Sequence, residues 1–167
     1  MTEDAGNPGG ALAEQVISLL RVAGQTVAAA ESLTGGLVTA TLTSVPGASV
    51  AVRGGVVSYA TDLKTTLLGV PQAMLDAHGA VYAGVASAMA DGVRRRLGAT
   101  FGVATTGVAG PDPADGQPVG TVHIAVSAQD DTVVRTLALD GDRDRIRRLA
   151  VERSLALLLG RLREDIR

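Results

Sequence analysis

The sequence predicts an α/β fold, a three-layer α/β/α sandwich around a mixed β-sheet. Two observations carry this expectation. Segments of helical period alternate with short, apolar, partly β-branched segments, and residues 120–128 and 132–140, joined by Gln129-Asp130-Asp131, read as an antiparallel hairpin at the sheet edge. At 167 residues, with 46% hydrophobic and 19% charged, the chain suits one folded domain. That domain is expected over residues 11–167, behind a polar, glycine-bearing and disordered tail at residues 1–10. Aromatic residues make up 2%, so the core has to be packed from Ala, Val, Leu and Ile.

Leu12, Val16, Leu19, Leu20 and Ala23 recur at helical spacing before Gly24, which predicts an amphipathic first helix and its stop. Residues 26–30 predict a strand, Glu31-Ser32-Leu33-Thr34-Gly35-Gly36 a turn, and residues 37–45 a helix ended by Pro46 and Gly47. Residues 50–59 predict a second strand, with a bulge at Gly54-Gly55. Thr61 or Asp62 can cap a short helix running through Leu68, and Pro71 opens another. Val85, Ala86, Met89, Ala90, Val93 and Leu97 draw the stripe of a longer helix, with Arg94, Arg95 and Arg96 mostly outside it and Gly98 as its stop. A strand over 101–105 feeds a loop, Thr106-Gly107-Val108-Ala109-Gly110-Pro111-Asp112, that continues to Pro118. After the hairpin, Val151, Leu155, Leu158, Leu159, Leu162 and Ile166 mark one face of a terminal helix beginning near Asp142.

Composition removes several classes of function. A net charge of -2, with arginines clustered among acids, gives no global pull toward nucleic acid. The absence of cysteine excludes a disulfide, a thiol nucleophile or a thiolate metal site, and makes the cytoplasm the easier home. No apolar run reaches membrane-spanning length, so no membrane association is expected. His78 and His123 make a poor metal set, and Asp112 and Asp115, in a Gly/Pro loop, read as turn residues, so neither a metal nor a cofactor is expected. No dinucleotide or ATP fingerprint is present.

Lys64 stands out because it is the only lysine beside fourteen arginines. A guanidinium keeps its proton in any site, whereas an amine in a dry pocket can lose it and act as a base. Two segments share the plan of a strand followed by a polar, glycine-containing loop, Ser32 to Gly36 and Thr105 to Asp112. If both strands point the same way, Ser32, Thr34, Thr105, Thr106 and the amides of Gly35 and Gly36 can surround one ligand. Tyr59 and Lys64 add a phenol and an amine from a neighbouring strand and helix start. In the run of Arg143, Arg145, Arg147 and Arg148, Arg143 lies nearest the turn and is the candidate for a substrate phosphate.

These segments together resemble the C-terminal domain of the CinA (competence/damage-inducible) proteins, a family that includes stand-alone nicotinamide-nucleotide amidohydrolases. The resemblance spans nearly the whole chain. It is carried by Ala30 to Gly36, Pro46-Gly47-Ala48-Ser49, Gly55-Val56-Val57-Ser58-Tyr59 with Lys64, Gly69-Val70, His78-Gly79-Ala80-Val81, Thr106 to Asp112, Pro118 to Val122 and Gly141-Asp142-Arg143. Leu33 stands where the family often has cysteine, Tyr59-Ala60-Thr61 replaces Tyr-Ser-Asn, and Val81-Tyr82-Ala83 replaces Val-Ser-Glu.

The resemblance implies a three-layer domain, often dimeric, that deamidates nicotinamide mononucleotide to nicotinate mononucleotide and ammonia. On that expectation Lys64 is the base, Tyr59 relays its proton or holds it, and Ser32 is the nucleophile, with Ser49 as the rival. The substrate-binding set is Thr34, Gly35, Gly36, Ser49, Thr105, Thr106, Gly107, Gly110 and Arg143, and the partners are a small-molecule nucleotide and a second copy of the chain. The alternative is a non-catalytic adaptor in competence or DNA-damage responses, suggested by the family's name and by Arg94-Arg95-Arg96.

Overall fold

The computed structural model describes residue 7 and residues 9–165. Helix α1 (Gly10–Ala23) buries Ala13, Val16, Ile17 and Leu20 along one stripe and stops at Gly24, whose left-handed backbone lets its amide reach the last carbonyls. Helix α1 thus begins at Gly10, one residue before the expected start of the domain. Asn7 is already tied down, donating to Ser44 Oγ at 2.7 Å and accepting from Thr41 Oγ1 at 2.9 Å. The remainder of the expected tail, residues 1–6 and 8, lies outside the described residues, as does Ile166.

Strand β1 (Val27–Glu31) leads to α2 (Leu37–Thr43), a short 3-10 turn (Ala48–Val50) and β2 (Val52–Val57). Three helices follow, α3 (Thr61–Leu68), α4 (Gln72–His78) and α5 (Ala83–Arg96). Strands β3 (Phe101–Gly107), β4 (Thr121–Ser127) and β5 (Thr132–Ala138) and helix α6 (Arg143–Asp165) complete the chain. The sheet order is β2-β1-β3-β4-β5, with β2, β1 and β3 mutually parallel and the β4–β5 hairpin antiparallel. The predicted bulge falls at Arg53, skipped between the pairs Val27–Val52 and Ala28–Gly54.

Alternation along the central strands splits the core into two layers. Val27, Ala29, Phe101 and Val103 pack beneath α1, α2 and α6, while Ala28, Ala30 and Ala104 pack against α3, α4 and α5. With so few aromatic residues, backbones come close to fill the space. A methyl group at Gly92 of α5 would strike the carbonyl of Leu68, and one at Gly102 of β3 would strike that of Ala90. Strand β3 runs two residues past its predicted end because Thr106 and Gly107 pair with His123 and Val122 of β4. His78 is the last residue of α4 and stacks on Tyr82 with ring centroids 4.0 Å apart.

Candidate active site

The parallel arrangement of β2, β1 and β3 brings three strand ends to one edge of the sheet. The ladder continues past the strands there, with the Ser32 amide donating to Thr105 O at 3.0 Å and the Ser58 amide donating to Glu31 O at 2.9 Å. Ser32 and Ser58 are thereby held side by side. After Tyr59 and Ala60 the chain turns into α3, and Lys64 sits one turn in. Helical side chains lean toward the N-terminus, so Lys64 reaches back over the strand ends.

Its amine donates to Ser58 O at 2.6 Å and lies 3.1 Å from Ser32 Oγ. Lys64 is completely buried and Ser32 is 9% exposed. Burial pushes the ammonium down from 10.5 to about 8, and the Asp115 carboxylate pulls the other way.

Ser32 and Lys64 open onto a cavity of about 320 Å³ whose walls include Tyr59, Val81, Thr106, Gly107, Gly110, Asp112, Asp115 and Arg143. Arg143, from the first turn of α6, donates to Gly110 O at 2.7 Å and to the Tyr59 hydroxyl at 3.1 Å. Tyr59 is 60% exposed and bonds to Arg143 rather than to Lys64, which corrects the expectation that it holds the amine.

Of the residues expected from the sequence, Ser32, Tyr59, Lys64, Thr106, Gly107, Gly110 and Arg143 meet at this cavity. Thr34, Gly35, Gly36, Thr105 and Ser49 do not line it. Thr34 and Thr105 are buried and bond each other at 2.8 Å, fastening the turn that carries Ser32 to β3. The Gly35 amide is taken by Ser32 O at 3.0 Å. The start of α2 is occupied by the fully buried Glu31, whose carboxylate accepts from the amides of Val38 and Thr39 at 2.8 and 3.0 Å and from Thr39 Oγ1 at 2.8 Å. An anion-binding role for the α2 N-terminus is therefore set aside, since a carboxylate of the chain already fills it. Ser49 lies in the 3-10 turn before β2, at the other end of that strand from Ser58, and lines a separate groove.

Three contributors went unread in the sequence. Arg147, one turn beyond Arg143, donates to Leu33 O at 2.9 Å and Thr34 O at 3.4 Å, so α6 grips the turn that carries Ser32. Asp115 accepts from the amides of Ala80 and Val81 at 2.9 and 3.3 Å. The Ser58 contribution is a backbone carbonyl, which no residue type announces. A cationic residue four places after Arg143 was the one available signal.

Fold and cavity together define a three-layer α/β protein with a buried serine–lysine pair at the carboxyl edge of its parallel strands. The CinA C-terminal domain family matches residues 10–162, and the chain belongs to that family. It is 56% identical over 143 residues to a CinA-like protein of Frankia casuarinae, covering 86% of this chain and 33% of that protein. It is 49% identical over 148 residues to a CinA-like protein of Anaeromyxobacter sp. (strain K), covering 88% and 36% respectively. The chain thus spans about a third of the length of these curated relatives. Among solved structures it is similar to the competence/damage inducible protein CihA from Agrobacterium tumefaciens, with a TM-score of 0.88, 36% identity, and coverage of 96% of this chain and 98% of that one. A CinA superfamily protein from Klebsiella pneumoniae gives a TM-score of 0.90 at 29% identity, covering 93% and 98%. No helix among the described residues is long and apolar enough to cross a membrane.

Proposed function

We propose that the domain is a serine–lysine amidohydrolase that converts nicotinamide mononucleotide to nicotinate mononucleotide and ammonia. The observation that carries the reading is the 3.1 Å approach of a wholly buried amine, its proton affinity lowered, to a hydroxyl on a cavity wall. In its neutral form the Lys64 lone pair takes the Ser32 proton as Oγ attacks the carboxamide carbon. The resulting ammonium returns that proton to the departing nitrogen, ammonia leaves, and an ester on Ser32 remains. Water then attacks the ester carbonyl, giving up a proton to Lys64, which passes it to the departing Ser32 Oγ, so that the acid leaves and the hydroxyl and neutral amine are restored.

The oxyanion needs a donor, and Gly35 and Gly36 stand off the cavity. The amide of Leu33, next after the nucleophile, has no acceptor among the described residues and is the natural donor. Arg143, fixed by Gly110 O and Tyr59, offers its guanidinium to the substrate phosphate. The phenol of Tyr59 serves by orienting that guanidinium.

Incubation with nicotinamide mononucleotide and an ammonia assay tests the reading. The native chain releases ammonia, Ser32→Ala and Lys64→Arg each lose about a thousandfold or more of the rate, and Ser49→Ala stays near native. A Ser32→Ala variant as active as the native chain would sink the nucleophile assignment. A native chain that releases no ammonia gives way to the adaptor reading.

A further inference from the structure

Asp115 lies in the long loop after β3, facing the same cavity as Lys64. Among the described residues it is the one non-glycine residue with positive φ, at 51°. Such a conformation is unfavourable for a side-chain-bearing residue and persists where other contacts hold it. Here the contacts are visible. One carboxylate oxygen, Oδ2, accepts from both the Ala80 and the Val81 amides. Gly79 beside them also has a positive φ, and a side chain there would run into the Asp115 carboxylate. From the opposite side, Thr106 Oγ1 donates to Ala80 O at 2.8 Å. The segment Gly79-Ala80-Val81 is thus strapped between β3 and the loop, forming the cavity wall that faces the base.

The charged and titratable groups facing Lys64 around this cavity are few. Asp112 and Asp115 come from the loop, Arg143 from α6 and Tyr59 from the end of β2. Arg143 already has two partners, and of the two exposed acids only Asp115 has its carboxylate fixed by hydrogen bonds among the described residues. We propose that Asp115 is a positioning residue for Lys64: it clamps the 79–81 strap as the wall of the site and sets a fixed carboxylate on the cavity that the amine faces. Of the two acids in the loop, it is the one whose charge raises the proton affinity of Lys64. Burial alone would lower the amine's affinity for a proton further. A carboxylate across the cavity keeps it basic enough to take the proton and, once charged, to deliver it.

The inference draws its catalytic meaning from the amidohydrolase reading, but its test needs no substrate. Because Lys64 is the only lysine, protein grown with lysine labelled with ¹³C at Cε gives one side-chain signal, whose titration reports this amine alone. Asp115→Asn keeps an oxygen for the two amides and removes the charge, so the Lys64 titration midpoint falls while amide exchange at Ala80 and Val81 stays slow. Asp115→Ala lowers the midpoint too and also speeds exchange at those two amides by about tenfold or more. Asp112→Asn leaves the midpoint close to native. An unchanged midpoint in Asp115→Asn, or an equal fall in Asp112→Asn, overturns the proposal. If ammonia release fails while these shifts appear, the amidase reading falls and the Asp115–Lys64 coupling stands.

Discussion

On the proposed amidohydrolase reading, Lys64 accepts the Ser32 proton only after losing its own, so its proton affinity sets the lower pH limb of the rate. With the ammonium brought down to about 8, roughly a tenth of the molecules carry the neutral amine at pH 7. The rate of amide hydrolysis should therefore rise with pH and level off above about pH 8. A kcat/KM profile flat from pH 6 to 9 would show that no such base is in use. Lys64 and Ser32 were legible in the sequence because identity carried the signal: a sole amine, and a serine in a strand-to-helix turn. Asp115 and Ser58 were not. The first looks like any loop acid until its two amide contacts are seen, and the second acts through its carbonyl, which every residue possesses.

At the scale of elements, the turn bearing Ser32 is held by its neighbours on three sides. Glu31 seals the start of α2, Thr34 bonds Thr105 of β3, and Arg147 of α6 holds the carbonyls of Leu33 and Thr34. The buried Glu31 carboxylate accepts three hydrogen bonds at a helix end whose dipole favours negative charge. Glu31→Gln, isosteric but neutral and able to accept at only one of its two terminal atoms, should cost about 2 kcal/mol in denaturant unfolding. A loss below about 0.5 kcal/mol would mean the carboxylate contributes little there. Helix and strand positions were readable from periodicity, and the glycines pointed to a bulge in β2, which falls at Arg53, one residue before the Gly54-Gly55 pair. The direction of α2's free amides was not readable, because the residue that consumes them precedes the turn and had been read as part of it. Ser49 misled for a related reason: sequence nearness to β2 does not say at which end of the strand a residue lies.

For the molecule as a whole, the buried amine links stability to pH. Folded, Lys64 releases its proton near pH 8, whereas in the unfolded chain it does so near 10.5. Between those values the unfolded state binds more protons, so stability rises with pH across that window; below it Lys64 adds no pH dependence, and the full cost of burying the charged amine is present. Lys64→Met lacks this dependence. Chemical denaturation at stepped pH should show the native chain gaining on the variant from about pH 8 to about 10.5; parallel curves would mean the folded amine titrates as it does in the unfolded chain. The layered architecture was predictable from the alternation of elements, since a sheet with two apolar faces needs helices on both. The closeness of those layers was less so, because a glycine such as Gly92 gives no hint in sequence of which carbonyl it allows to approach. Placing the sole lysine out of sight has one more result. Apart from the imidazole of His78, every basic side chain left on the exterior is a guanidinium, so acylation, carbamylation and sugar adducts, which form on ε-amines, find no lysine foothold on the outside of the folded domain.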